Sequence, residues 1–321
     1  MDLTLIQQHK IDMNFAFQNV VGFILKQSKL TVSLIRIDNI TADSFHVSIE
    51  ARTTNTGPAS ATLSAFTIDL CGPTGRFGQV YLPPITTHSN GAPIIVSDQL
   101  VNILDKAALQ AFIKPVIVDS HATLILRNGN TTVKALGIGP RPICYEKDIP
   151  MSGMLGPRIS VHEASAVGDS GVAVVIHVVN PSPMAISFGA CGLEIQNEAG
   201  QVFAELTGDL DIRCNRFEAR FEGAVRREVP LANDKVRLVG KRCMGADWCD
   251  ETVRQINVPL LGMSKICAAL GLQYEYESDE IIDDLVKEPA EKSAEKPAEQ
   301  QPLIRSASKL LRGRFWKAQA S

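Results

Sequence analysis

The residues whose types and spacing could do chemistry are concentrated between positions 303 and 321. Apolar side chains recur there at steps of three and four, and five basic residues but no acidic ones lie between Gln300 and Ser321. On a helix this pattern gives an apolar stripe with basic flanks, which is typical of a segment that lies on an anionic membrane surface. Docking on a protein partner, or on the chain's own acidic segment, would need the same pattern. The predicted contact residues are Leu303, Ala307, Leu310, Leu311, Arg312, Arg314, Phe315 and Trp316.

The seven cysteines form no recognisable disulfide or metal framework. Their number is odd, and no spacing between them repeats. We therefore predict free and mostly buried thiols in a reducing compartment. The pair Cys243 and Cys249 leaves open a strained disulfide or half of a metal site. Metal ligands usually lie closer together than these two, and no histidine is nearby.

No catalytic or cofactor site can be assembled from residue spacing. His46 and His177 fall in strands, while His88 and His121 fall on or beside loops, and acids and alcohols are scattered around them. The segment Gly137-Ile138-Gly139 lacks the third glycine and the following helix of a phosphate-binding loop. We therefore predict no catalytic residue, no metal and no cofactor, and we favour a protein that is not an enzyme.

A tandem repeat decides the predicted architecture. Residues 48–70 and 173–195 align at a constant offset of about 125 positions. Apolar residues fall in the same places in both, and each copy contains a turn rich in Asn, Gly or Pro. Proline cannot extend a central strand, so each turn is predicted to be a structural corner that ends one. The corner residues are Asn55, Gly57 and Pro58 in the first copy and Asn180, Pro181 and Pro183 in the second.

Alternation of apolar and polar residues from Leu30 onwards predicts strands that are buried on one face. Residues 97–113 have helical spacing instead, and we predict an amphipathic helix there, capped by Ser97 and limited by Pro115. Residues 127–130, Arg-Asn-Gly-Asn, give the strongest hairpin signal of the chain. Short helical segments are also predicted at 246–249 and 265–270.

The charge distribution separates a nearly neutral body from a charged C-terminal segment. The net charge of −3 gives no indication of nucleic-acid binding. Ten acidic residues and three lysines lie between Glu275 and Glu299, which predicts a disordered acidic linker. Residues 1–27 have weak helical spacing but neither a secretory signal nor a membrane span. We therefore expect a cytoplasmic protein whose peripheral membrane attachment, where it occurs, is made by the basic tail.

Several of the repeat and turn residues resemble a fungal family of unknown function. The resemblance is carried by residues 28–32, 43–45, 55–58, 69–70, 75–78, 179–183 and 197–200. That family is similar to the group-two (WHy-type) late-embryogenesis-abundant domains, which adopt an immunoglobulin-like or fibronectin-like sandwich. The resemblance spans roughly residues 28–263. It implies an elongated body of two domains with an apolar groove for a lipid or another hydrophobic ligand, and it implies no catalytic residue.

These observations predict an all-β protein of two tandem immunoglobulin-like or fibronectin-like sandwiches, residues 28–154 and 155–275, with one helical insertion. The N-terminal extension covers 1–27, the acidic linker 276–302 and the basic amphipathic tail 303–321. We predict a non-catalytic binding protein that associates with a membrane or a hydrophobic ligand. The first alternative is a protein-interaction scaffold. The second is an enzyme of small-molecule metabolism with its site in the crevice between the domains.

Overall fold

The computed structural model describes residues 21–89, 91–135, 138–231 and 235–272. Within these ranges strands dominate and helices are few, so the prediction of a mostly β fold is confirmed. The strands up to Ser152 form what we call the N-terminal half, and those from Arg158 onwards form the C-terminal half. The linker and tail predicted at 276–321 lie outside the described residues.

The N-terminal half contains β1 (Lys29–Asp38), β2 (Ser44–Thr54), β3 (Ala61–Leu63), β4 (Phe66–Gly72), β5 (Gly75–Leu82), β6 (Ile85–Thr87), β7 (Ala92–Asn102), β8 (His121–Ala135) and β9 (Ile138–Ser152). The C-terminal half contains β10 (Arg158–Val167), β11 (Gly171–Asn180), β12 (Met184–Gln196), β13 (Val202–Ile212), β14 (Asn215–Val225), β15 (Arg237–Cys243) and β16 (Asn257–Leu261). The helices are α1 (described over 21–27), α2 (Lys106–Val118), α3 (Asp247–Val253) and α4 (Met263–Leu270).

One large sheet runs through both halves in the order β13-β14-β11-β10-β16-β15-β12-β1-β2-β7. Strand β13 also pairs with β12, so the seven strands of the C-terminal half close into a ring. A second sheet, β5-β4-β8-β3-β6 with β9 beside β8, belongs to the N-terminal half. The halves join where β1 and β12 pair in parallel, with Ile35 opposite Met184 and Ile37 opposite Ile186. A single sheet therefore connects them.

The two halves share an order of three neighbouring strands and a shift of register in the first of them. Strands β1, β2 and β7 lie side by side in one half, and β10, β11 and β14 do so in the other. The first strand of each trio carries a register shift at the same place, between Val32 and Leu34 in β1 and between Val161 and Glu163 in β10. In β1 this shift moves the fully buried positions to Ile35 and Ile37.

The helix predicted over 97–113 begins later than expected. Strand β7 continues to Asn102 because it pairs with β2 along its length, so Ser97 and Leu100 are strand residues. The helix, α2, starts at Lys106, and its cap is Asp105, whose side chain accepts a hydrogen bond from the Ala108 amide at 3.0 Å. It then runs through Pro115 to Val118. A proline inside a helix costs about 3 kcal/mol, and burial of six apolar α2 side chains outweighs that cost.

The hairpin predicted at 127–130 is wrong, because these residues form a bulge inside β8. The register between β8 and β9 shifts between Leu126 and Gly129, and Asn128 adopts a positive φ of 57°. Its side chain donates to Asp69 on the neighbouring β4 at 2.7 Å. The Asn-Gly pair therefore bends a long strand and ties it to its neighbour. The short helices predicted near 246–249 and 265–270 are confirmed as α3 and α4.

Candidate functional site

An apolar cavity of about 100 Å³ lies between the two sheets of the N-terminal half. Strands of both sheets contribute aliphatic side chains that point inward, as their alternation dictates. At several of these positions the side chain is small, and the space between the sheets is therefore not filled. The aliphatic lining comprises Leu30, Val32, Ile49, Ala51, Ala59, Ala61, Leu63, Ile68, Leu70, Val80, Leu82, Ile85, Ile94, Leu124, Leu126, Val133, Ala135 and Ile149.

Helix α1 covers one end of this cavity. Val21, Ile24 and Leu25 face the lining, and Val21 is buried. The weak helical pattern of the N-terminal extension is therefore confirmed over its described part, 21–27. Phe23 on the opposite side of the helix is 63% exposed. The described part of α1 therefore packs against side chains of the two sheets.

A lysine holds the C-terminal end of α1. The Lys147 ammonium on β9 donates to the Leu25 carbonyl at 2.8 Å and lies 3.4 Å from the Ser28 hydroxyl. A cation is favourable there because the last carbonyls of a helix carry partial negative charge. Burial lowers the pKa of Lys147 below its ordinary value. This one side chain therefore connects the helix over the cavity to the sheet beneath it.

Three of the hydroxyl groups around the cavity are already used within the protein. The hydroxyls of Ser28, Thr56 and Thr87 donate to the carbonyls of Leu25, His88 and Ala61, at 2.7, 3.1 and 3.2 Å. Tyr145 packs edge-on against Phe66, and burial raises its pKa to about 12, so the phenol stays neutral. The interior therefore offers hydrocarbon contact and no fixed charge.

The predicted corners end strands, as the proline argument requires, but they lie in different surroundings. Asn55 is exposed, has a φ of 55° and follows β2, while Gly57 has a φ of 79° and lies under α1. Asn180 is fully buried and is the last residue of β11. Its amide donates to the carbonyls of Met184 and Arg213, and its oxygen accepts from the Ser182 amide. The first corner therefore borders the cavity, and the second supports the strand that joins the halves.

The join between the halves is packed by side chains. The rings of Phe45 and Trp248 lie 6.1 Å apart, and the Trp248 indole donates to the Thr41 carbonyl at 3.0 Å. The Gln110 side chain donates to the Trp248 carbonyl. On the outer surface Arg36 and Asp211 pair across the halves at 3.4 Å.

One of the histidines lies beside a carboxylate, and most of the cysteines are buried. His46 Nδ1 lies 2.7 Å from a carboxylate oxygen of Asp98, whose side chain is 71% exposed. All seven cysteines are free thiols, and five of them are buried. Within the described ranges, no group of three or more His, Cys, Asp or Glu side chains has an arrangement that could hold a metal ion. Among the same residues, no helix has the length and apolar character needed to cross a bilayer.

The predicted contact residues of the tail, Leu303 to Trp316, lie outside the described residues. The cavity was missed by the site predictions, although the resemblance implied an apolar groove. A sequence signal existed in the inward positions that carry alanine where the second repeat has a larger residue. Ala51, for example, corresponds to Ile176. Whether an alanine at such a position leaves a cavity depends on which strands face each other, and the sequence does not show this.

Comparison with known proteins finds similarity to one domain family over part of the chain. Residues 75–195 match a family described as a protein of unknown function (DUF3712). The match runs from β5 to β12 and so crosses from one half into the other. A search of curated proteins gave no match.

Two solved structures illustrate the structural likenesses. The crystal structure of red sea bream transglutaminase is 14% identical and has a TM-score of 0.20; 73% of this chain and 31% of that chain are covered. This chain therefore spans about a third of that protein. A bacterial adhesin from Mobiluncus mulieris, containing intramolecular disulfide, isopeptide and ester bond cross-links, is 8% identical with a TM-score of 0.18, over 66% and 80% of the two chains. Likenesses this weak carry no argument about fold or function.

Proposed function

We propose that this protein is a non-catalytic carrier of an amphiphile, whose hydrocarbon chain occupies the cavity of the N-terminal half. The observation that carries the proposal is an apolar cavity of about 100 Å³ beneath α1. Space of this volume that no side chain fills costs about 2 kcal/mol. A ligand that supplies the missing contacts would recover that energy, and so the cavity favours binding of a hydrocarbon group.

The polar features of the cavity support an anionic head group at its mouth. Three hydroxyls of the cavity already bond to carbonyls, so a ligand gains little from polar groups placed beside them. At the mouth, Lys147 bonds to the end of α1. Movement of α1 away from the sandwich would free this ammonium for a carboxylate, since charge-assisted hydrogen bonds are the stronger kind. A short-chain fatty acid has the required combination of chain and head, because about 100 Å³ holds only a few carbon atoms.

The finer description of the fold belongs to the same proposal. We infer that both halves are tandem sandwiches of the immunoglobulin-like or fibronectin-like kind, similar to late-embryogenesis-abundant domains. The recurring strand order and the recurring shift in β1 and β10 support this interpretation. In such a pair, one copy would keep a ligand cavity while the other is filled by its own side chains.

Isothermal titration calorimetry of the full chain with butyrate, a probe whose chain matches a cavity of about 100 Å³, tests the proposal. We expect saturable binding of one probe per chain. The variant Ala51→Ile places the residue of the second repeat into the cavity and should weaken binding at least about tenfold. The variant Ile176→Val is the matched control, because it lowers the stability of the other half and leaves the cavity alone. Equal binding by all three proteins would rule out the cavity as the site.

The basic tail supports a second proposal, which rests on sequence alone. Residues 303–321 would attach a cytoplasmic protein weakly to an anionic membrane, since each basic residue near such a surface contributes about 1 kcal/mol. Sedimentation with phosphatidylserine vesicles, comparing the full chain with one ending at Glu299, tests this. Binding that needs the tail and weakens with salt supports membrane attachment. Absence of binding by both forms would favour a protein partner for the tail.

A further inference from the structure

Three buried thiols meet at one place in the C-terminal half. Cys191 on β12 and Cys243 on β15 are cross-strand partners, and Cys249 lies on the following helix, α3. Cys191 and Cys249 both lie close enough to Cys243 to shift its pKa, and the Cys243 thiol donates a hydrogen bond to the Phe188 carbonyl at 3.2 Å. The sequence left open a link between Cys243 and Cys249, but it gave no reason to include Cys191, which is 52 residues away from Cys243.

The backbone places Cys191 and Cys243 at a distance that suits a disulfide. The Met244 amide donates to the Ala190 carbonyl at 2.8 Å, so the residues next to this pair occupy a hydrogen-bonded position of the antiparallel ladder. Positions alternate along the ladder, and the cysteine pair is therefore at a non-hydrogen-bonded position. The Cα atoms of such pairs lie about 4.5 Å apart with their side chains on one face, within the range that disulfides span.

Cys243 is the member of the cluster that a small oxidant can reach. Its exposure is 9%, whereas Cys191 and Cys249 are completely buried. The neighbouring residue Met244 is 63% exposed, and Gly245 leaves open space beside the sulfur where a Cβ would lie 3.5 Å from it. The Gly245 amide also points at the sulfur, 3.5 Å away.

Of the three thiols, Cys243 loses its proton most readily, although in the reduced protein it donates to the Phe188 carbonyl at 3.2 Å. Hydrogen bonds from Cys191 and Cys249 lower the pKa of Cys243, and the Gly245 amide adds to this effect against burial. The pKa values of Cys191 and Cys249 are raised by the same hydrogen bonds and by burial. The thiolate is the reactive form of cysteine, and the two neighbours remain protonated as potential partners.

We propose that Cys243 is a peroxide-reactive cysteine that forms a reversible disulfide with Cys191. The Cys243 sulfur attacks hydrogen peroxide, the O–O bond breaks, and a sulfenic acid forms while hydroxide leaves and becomes water. The Cys191 sulfur then attacks the sulfenic sulfur; the S–S bond forms, and the S–O bond breaks. The departing hydroxyl takes the Cys191 proton and leaves as a second water. Two thiols are oxidised and one peroxide is reduced.

Peptide mapping of the full chain tests this site. Reduced protein is treated with hydrogen peroxide, its remaining thiols are alkylated, and it is digested with trypsin. Cys191 then lies in peptide 159–213, while Cys243 and Cys249 share peptide 243–254. Further cleavage before Asp247 separates the last two cysteines. We expect a link from peptide 159–213 to Cys243 that dithiothreitol reverses.

Two buried cysteines elsewhere serve as internal controls. Burial raises the pKa values of Cys71 and Cys267, so their oxidation should be at least about tenfold slower than that of Cys243 in the same sample. The variant Cys249→Ala should still form the link, and Cys191→Ser should lose it. Oxidation of all buried cysteines at equal rates would overturn the proposal. So would a link from Cys249 to either neighbour in place of Cys191–Cys243, and both outcomes can be measured in the wild-type chain alone.

Discussion

The two halves of this protein carry the same sequence repeat, but side chains fill their interiors to different extents. The N-terminal half encloses about 100 Å³ of apolar space, whereas the corresponding space of the C-terminal half is about 20 Å³. At one repeat position the first half has Ala51 and the second has Ile176, and both side chains line their cavity. In the closed ring, Phe203 and Phe221 are completely buried. The two copies of the repeat therefore share their strands. The volume of the side chains leaves a cavity in one copy and fills the interior of the other.

The corners show the same divergence. Asn180 uses its whole amide inside the protein, at the place where the Pro183 carbonyl accepts a hydrogen bond from Ile35 of the other half at 2.8 Å. Asn55 is exposed, and its contribution to the corner is a backbone conformation with positive φ. The corner at Asn180 therefore contributes to the connection between the halves. The corner at Asn55 borders the cavity beneath α1.

Exchanging the residues at the paired repeat position should produce the largest difference. Ile176→Ala removes a buried side chain from a tightly packed core and should lower the free energy of unfolding by about 3 kcal/mol. Ala51→Ile adds the same atoms where space exists, so the free energy of unfolding should change by no more than about 1 kcal/mol. Urea unfolding of both variants measures this. A large loss of stability in Ala51→Ile would mean that the cavity of the N-terminal half cannot accept additional atoms.

The corners should differ by a smaller amount. Asn180→Ala leaves the Met184 and Arg213 carbonyls without their donor in a buried place and should cost about 2 kcal/mol. Asn55→Ala should cost about 1 kcal/mol, because alanine tolerates a positive φ less well than asparagine. Chemical denaturation again gives both values. Similar losses of unfolding free energy in the two variants would contradict this difference between the two corners.

Loss of the lysine at the cavity mouth should act locally. Lys147→Met keeps the length of the side chain but removes its hydrogen bond to the Leu25 carbonyl, worth about 1 kcal/mol. Amide hydrogen exchange at residues 21–27 should accelerate several-fold, while exchange in the C-terminal half stays constant. Lys134→Met, at an exposed lysine on β8, is the matched control. Unchanged exchange in α1 would show that Lys147 does not hold the helix.

The smallest expected effect concerns the stability of the folded protein at acidic pH. Burial alone would raise the pKa of Asp69, but hydrogen bonds from Asn128, Gln79 and Arg76 outweigh it and lower that pKa below its ordinary value of 3.8. A carboxyl with a lowered pKa in the folded state adds stability above its ordinary pKa, and this is lost as the pH falls through the folded value. Asp69→Asn should therefore flatten the decline in unfolding free energy below pH 4. Glu194→Gln, at the equivalent repeat position, provides the comparison, and an unchanged decline in Asp69→Asn would refute the assignment.

Much of the architecture could be predicted from local patterns. Period-two alternation identified most of the strands, and the prolines after Asn180 marked the end of β11. Errors arose where pairing with another strand decided the outcome. Residues 97–102 have helical spacing, yet β7 pairs with the neighbouring β2 on both sides of a register shift at residues 97–98. The Asn-Gly pair at 128–129 has the composition of a turn, but β9 pairs on both sides of it and keeps the strand intact.

The sequence by itself determined the strands, the repeat and the corners, because alternation, proline and glycine act on the chain within a few residues. Only the tertiary structure decided that β1 pairs with β12, that Ala51 faces a cavity, and that Cys191 meets Cys243. These features depend on which strands become neighbours and on the volume left between two sheets. Both are properties of packing across long sequence separations, where a residue's surroundings are set by segments far away in the chain.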